Sequence, residues 1–499
     1  MLVLYPIVNG FRISSDIEAQ NSAVLTYPKI QSPPSLLPSR QILVGIEPYL
    51  GKSVLSGSLS KNLDLISDGK PLVLKDALGR IYKSSQISIG WKKILLDSPQ
   101  RYERQVIGPF SSFESANNVS KDLINKGIQN IIVHPDNWEI WISKDIRLPE
   151  SIQSKFFNTQ ISYEVKPVLL LKTGELVLKG PININAPDGL NWKKGVYEGP
   201  FLLKRDSYGT WTLIEKTPLE NYLKGVVPHE IGPSSPFSAK AAQAVLARTW
   251  AVANSSRFSA DGYHLCSDTQ CQVYKNPNQA DLDVLRAIRE TSNKILTWKG
   301  EPIHAVYHAT NGGIMASADE AWSINPKPYL KSKLDGSKRW VENVNFAMDN
   351  NAALWRFLSQ RDGAYGNNHY RFRWTRKLSS LDLKNFLTDA GFKPLNPQNI
   401  KVIKRGPSGR VVTLEITGKN SQSSVFLNRD AIRRIIKSLP STLFVVSEVD
   451  DGVWEFKGGG FGHGAGLSQA GAIDLALRGW SVKQILQHYY PGTTYESLR

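Results

Sequence analysis

Glycine and proline interrupt this chain at short intervals, with 38 Gly and 28 Pro among 499 residues. Such punctuation leaves little room for a bundle of long helices and favours many strands joined by loops. The runs between the breakers fit that pattern. "ILVGI", "LDLIS", "PLVLKD", "SQISIGW" and "KKILLD" are short and β-like, with turn signals such as "DGKP" and "LGR" between them. A hydrophobic fraction of 41% can build a sizeable core. The length exceeds one ordinary core, so roughly two to four domains are expected. The expected class is α+β and multi-domain, with a β-rich N-terminal region and a mixed α/β C-terminal domain of catalytic type.

The chain divides by composition. Residues 1–40 include "YPKIQSPPSLLPSR", which is polar and rich in Pro and Ser, and read as a leader or disordered linker. Residues 41–98 read as a small β-rich domain. Residues 100–148 read as strand, turn, helix, strand, strand. There Ser112 is placed to cap the helix, and Ala116, Val119, Leu123 and Ile124 fall at helical spacing. Gly127 is placed to end it. The stretch "QVIGPFSSFESA" and this βαβ pattern resemble a sporulation-related repeat (SPOR) module, whose members bind glycan strands stripped of peptides. An unrelated small α/β module is the alternative. Residues 160–222 are again strand-rich, and helices follow residue 237. No period of about 20–50 residues marks a solenoid or propeller.

Charge and cysteine content narrow the partners. The net charge is +17, spread along the chain without a dense basic run. Basic chains suit nucleic acid, anionic membrane surfaces or anionic cell-envelope polymers, and charge spread in this way does not by itself favour nucleic acid, for which no motif is present. No stretch approaches the roughly 18 apolar residues of a membrane span. The opening "MLVLYPIVNGF" lacks a basic region and a long apolar core, so it is no convincing signal peptide.

Four local patterns carry chemistry. In "GVVPHEIGPSSPF", Glu230 follows an apolar run and Pro228, where no regular face carries it. The Ala-rich "SAKAAQAVLARTWAVAN" is a helix with Ser238 as its cap and Ala241, Val245, Thr249 and Val252 on one packed face. A buried helix bearing Gln243 and Arg248 needs partners for them, which a cleft shared with Glu230 would supply. "YHLCSDTQCQVY" holds His264, Cys266 and Cys271, the two cysteines being the chain's full complement. They fit a structural zinc site completed by His308, a disulfide, or buried free thiols. "GGGFGHGAGLSQAGA" places many glycines ahead of a helix, where backbone can approach a partner closely, beside His463, Ser468 and Gln469. It could equally be a tight core turn.

These blocks, in order, resemble the stage II sporulation protein D / LytB family. The likeness runs through "LENYLKGVVPHEIGPSSPFSAKAAQAVLARTWA", "CQVYKN", "AVYHATNGGIMASADEAW" and "FKGGGFGHGAGLSQAGAIDLALRGWSVKQILQHYYPGTTYE". It spans about residues 165–496, within an expected domain over 160–499. The resemblance implies a peptidoglycan lytic transglycosylase with Glu230 as its catalytic residue, or a non-catalytic enhancer of a cell-wall amidase. It implies substrate contacts from Gln243, Arg248, His308, His463, Ser468 and Gln469. Zinc is seen in some members and absent from others, and the chemistry itself needs no cofactor. Peptidoglycan glycan strands are the implied partner, with an N-acetylmuramoyl-L-alanine amidase as a second. The implied location is the cell envelope, in tension with the weak N-terminal signal. A single carboxyl suffices for such a reaction, whereas hydrolases typically use two. Partial burial beside Val226, Val227 and Ile231 would favour the proton-donating form.

Overall fold

A computed structural model describes residues 32–36, 40–344, 347–418 and 424–498. Residues 1–31 and 37–39, most of the expected leader, lie outside the described residues. The chain forms two units. One comprises residues up to Val226 together with Asn254–Gln279, and the other Val227–Ala253 together with Ala280–Arg499. The architecture is α+β.

The first unit is built on two sheets. Its strands are β1 (Gln41–Leu50), β2 (Leu63–Ser67), β3 (Leu72–Lys75), β4 (Ile81–Ser84), β5 (Gln86–Phe110), β6 (Ile131–Val133), β7 (Trp138–Ser143) and β8 (Lys155–Leu171). Then come β9 (Gly174–Val177), β10 (Ile182–Asn185), β11 (Leu190–Trp192), β12 (Gly195–Tyr197), β13 (Phe201–Arg205), β14 (Trp211–Pro218) and β15 (Leu265–Cys266). One sheet runs β15-β1-β14-β13-β10-β3-β4, and the other β12-β11-β2-β5-β7-β6, with β8 pairing β5 and β9. Period-two burial along β2 and β10 turns Leu63, Leu65, Ile182 and Ile184 inward. The expected boundary at 98–100 falls inside β5, and the one at about 160 falls inside β8. Both strands are long because they pair with each other from Ile89–Leu169 to Val106–Lys155. The segments read as separate domains therefore share sheets, and residues 160–226 belong to this unit.

The expected strand-helix-strand-strand order over 100–148 is present. Helix α1 (Phe113–Asn125) starts at Ser112, whose hydroxyl accepts from the Ser115 N–H. Gly127 follows its end with φ +78. Phe113, Ala116 and Leu123 join Trp138, Ile140 and Phe258 in one core, whereas Ile124 points outward.

Helix α2 (Leu219–Ile231) opens in the first unit, and its residues from Val227 belong to the second. In the second unit α3 (Phe237–Ala253) is buried at every position from Ala239 to Ala251. It begins one residue before Ser238. The Pro236 carbonyl accepts the N–H groups of Ala239 and Lys240, so Ser238 is not its cap. Around α3 lie α4 (Leu282–Glu290) and β16 (Lys294–Trp298). Strand β17 (Tyr307–His308) pairs in parallel with β18 (Leu467–Ser468), which leads into α5 (Gln469–Leu477). Helix α6 (Val482–Tyr489) follows. Residues between about 373 and 459 add two three-stranded sheets around a core containing Leu383, Leu414, Phe444 and Phe456.

Candidate active site

Glu230 is the penultimate residue of α2. The sequence suggested no regular element there, because Pro228 removes the N–H that would bond to the Lys224 carbonyl. The helix nevertheless runs three residues past the proline. Val226 and Val227 are fully buried, and their packing offsets the lost bond. Gly232, at φ +87, stops the helix, and the Ser235 hydroxyl donates to the Ile231 carbonyl at 2.6 Å. This turn holds Glu230, half-buried, in the wall of a cavity of about 610 Å³.

The other walls come from distant parts of the same unit. Gln469, Ala470, Ile473, Asp474, Leu477 and Arg478 line it from α5 and its C-terminal end, spaced as one helical face. Gly366, Asn367, Asn368, His369 and Tyr370 form a loop wall, and Ala309 and Phe461 complete the lining. Asp474 ties two walls together. Its carboxylate accepts from the Gly366 N–H at 3.0 Å and from Arg478 Nε at 2.9 Å. Burial and the nearby Arg371 hold the pKa of His369 below the usual imidazole value, which favours the neutral ring.

Of the residues expected at the site, the structure brings Glu230 and Gln469 into one cavity. Gln243 stands behind, its Oε1 at 3.5 Å from Gln469 Nε2. The remainder do not line this cavity. Arg248 is fully buried and donates from Nη1 to the Lys294 carbonyl at 3.0 Å. Ser468 is the N-cap of α5, accepting from the Gly471 N–H at 3.1 Å. His463 Nδ1 accepts from the Ala465 N–H at 3.2 Å, and its Nε2 lies 2.9 Å from the Tyr307 carbonyl. His308 is buried with Nδ1 at 3.1 Å from the Ala465 carbonyl. Burial first, then His463, pushes its pKa well down. None of these four lines the cavity, because internal partners occupy their polar atoms or burial encloses them.

Sequence reasoning missed His229, the loop Gly366–Tyr370, Asp474 and Arg478. The loop had a signal in "GAYGNNHYRF", where glycines flank polar and aromatic residues. Asp474 and Arg478 stand four apart on a helix that could be expected from its own block.

The metal reading does not fit the residues present. Cys266 and Cys271 are joined as a disulfide, so neither supplies a thiolate. Both ring nitrogens of His264 are engaged, Nδ1 by the Leu43 N–H at 2.9 Å and Nε2 by the Pro34 carbonyl at 2.8 Å. His308 belongs to the other unit and its contacts are those given above. Among the three alternatives open to the cysteines, the structure takes the covalent one.

Comparison with known proteins matches residues 207–298 to a family model described as stage II sporulation protein. Residues 316–466 match one described as a domain of unknown function (DUF8618). An uncharacterised protein of Brachyspira hyodysenteriae is 28% identical over 331 residues, 64% of this chain and 78% of its own. The stage II sporulation protein D of Bacillus amyloliquefaciens is 28% identical over 303 residues, 56% of this chain and 74% of its own. The amidase enhancer of Bacillus subtilis is 27% identical over 297 residues, 55% of this chain but 40% of its own length. The first of these models contains the turn that presents Glu230. The chain is thus similar, in this segment and in its curated relatives, to the stage II sporulation protein D / LytB family.

Proposed function

We propose that this protein cleaves peptidoglycan glycan strands as a lytic transglycosylase, with Glu230 as acid and then base. One observation carries the reading. The carboxyl at the end of α2 lines a cavity of about 610 Å³, whose other walls include asparagines, a histidine and aromatic residues.

The step balances with one carboxyl. Glu230 donates its proton to the oxygen linking N-acetylmuramic acid to N-acetylglucosamine, and the bond from that oxygen to muramic C1 breaks. The muramic C6 hydroxyl attacks C1 and gives its proton to the Glu230 carboxylate. The products are a strand with a free 4-hydroxyl and one ending in a 1,6-anhydro ring, and Glu230 is protonated again. No water is consumed. Such acid-base assistance contributes about 10²–10⁴-fold. Glu230→Gln is expected to abolish anhydro-ended products while keeping the fold. Mass spectrometry of amidase-stripped peptidoglycan after incubation with each protein checks this.

A second reading has its own support in the relative named amidase enhancer. There the cavity binds strands, and the protein activates a partner amidase without cutting. Binding by both proteins with no anhydro ends from either would select it. Either reading places the protein in the cell envelope, and residues 100–148 then serve as an additional strand-binding module. No helix among the described residues is long and apolar enough to cross a membrane.

A further inference from the structure

The loop wall of the cavity lies outside the segment matched to the sporulation family and inside the one matched to a domain of unknown function. It carries an unusual surface group. Tyr370 is 75% exposed, yet it lines the cavity. A large ring left in water at the wall of a cleft is a contact in waiting. Its neighbour His369 stacks on it, with ring centroids 4.7 Å apart and planes inclined at 28°. Asn367 and Asn368 place amides on the same wall.

The loop is held in place rather than left to move. Its Gly366 N–H donates to Asp474. A Cβ at Gly366, where φ is +69, would lie 2.5 Å from the Ala470 carbonyl carbon, so the loop backbone rests directly on α5. Asn367 Nδ2 donates to the Arg361 carbonyl at 3.0 Å, and the Arg371 N–H donates to His369 Nδ1 at 3.1 Å. The Phe372 N–H closes the turn on the His369 carbonyl at 2.9 Å. A ring on so fixed a support is pre-organised, and its partner loses little by docking on it.

We infer that Tyr370, backed by His369, is the stacking platform that seats a pyranose ring of the glycan strand in this cavity, with the Asn367 and Asn368 amides beside it for hydroxyl or acetamido groups. The inference rests on the glycan-binding part of the proposed function. A pyranose presents a C–H face that covers an aromatic ring without a charge, and the amides supply the hydrogen bonds that such a sugar needs at its edge. Tyr370 is thus a binding and positioning residue, separate from the acid-base work of Glu230.

The test is titration calorimetry of purified, amidase-stripped glycan strands into the full-length Glu230→Gln protein, alone and with Tyr370→Ala or Tyr370→Phe added. The ring's exposure makes both substitutions harmless to the fold, which thermal melting verifies. Tyr370→Ala is expected to raise Kd roughly tenfold, and Tyr370→Phe, which keeps the ring, to retain most of the affinity. In the Glu230 background, Tyr370→Ala should raise KM more than it lowers kcat. An alanine variant that binds like its parent overturns the platform, as does a phenylalanine variant as weak as alanine. If the parent does not bind strands, the proposed function falls and this inference with it. If binding follows the ring but the Glu230 protein yields no anhydro ends, the platform stands and the cleavage reading fails.

Discussion

A methyl group added at Gly466 would sit 2.1 Å from the Val306 carbonyl oxygen and 2.6 Å from the Tyr490 hydroxyl. The backbone there has φ +72, so the residue meets two obstacles at once. Gly466→Ala is expected to destabilise the protein by about 3 kcal/mol or more. Gly479 is the control, with φ +84 and open space around it. Gly479→Ala should cost only the backbone term, about 1–2 kcal/mol. Urea unfolding of both variants compares them, and equal costs would remove packing from the explanation. The glycine-rich block was therefore legible as a place of close approach, but not what approaches. Gly462 meets His308, Gly464 meets Arg410 and Gly471 meets the Tyr489 hydroxyl. The chain meets itself there. Glu230 was singled out for a different reason: it occupies the position that the resemblance marks as catalytic.

At the scale of an element, α3 shows how far composition reaches. Its alanines and its length announced a helix, and it is one. Burial around its whole circumference was not evident, because alanine is tolerated on any face. Two polar groups tie it to β16. Arg248 donates to the Lys294 carbonyl, and the Thr249 hydroxyl accepts from the Leu296 N–H at 3.0 Å while donating to the Val245 carbonyl at 2.7 Å. Thr249→Val preserves shape but leaves the buried Leu296 N–H without that acceptor. A loss of about 1–3 kcal/mol in denaturant unfolding is expected. Lys240 is likewise buried on α3 and reaches Asp281, which also caps α4. The cap assigned to Ser238 failed because the helix starts one residue earlier, with the Pro236 carbonyl accepting its first N–H groups.

At the scale of the whole molecule, the first unit holds buried carboxyls that the proposed chemistry does not use, Asp206, Glu215 and Asp261 among them. Asp261 accepts from the Ser207 N–H at 3.2 Å and the Tyr208 hydroxyl at 3.0 Å. Burial, reinforced by Asp206, pushes its pKa up to about 8 from 3.8. A carboxyl raised in the folded state favours folding fully below its unfolded value. That contribution is lost as pH rises from about 4 through about 8. Glu215, pushed up to about 7 by burial, acts with the same sign. His308, pushed down, acts oppositely as pH falls below its ordinary value. Comparing wild type with Asp261→Asn isolates the first effect. The wild type should lose a few degrees of Tm relative to the variant between pH 5 and pH 9. Melting curves that stay parallel across that range would count against a buried, protonated Asp261.

The sequence by itself determined the α+β class, the likeness to the sporulation family, the alanine-rich helix and the capped helix at Ser112. Each is written in residues close together, through periodicity, propensity or a motif. Only the tertiary structure decided which strands pair, so that segments read as separate domains share two sheets. It also decided that Cys266 and Cys271 join each other, and that Arg248, His308, His463 and Ser468 lie outside the lining of the Glu230 cavity. The loop at Tyr370 reaches the cavity of Glu230 by the same means. These outcomes depend on hydrogen bonds and packing between residues tens to hundreds of positions apart, and no local pattern encodes the partner at the far end.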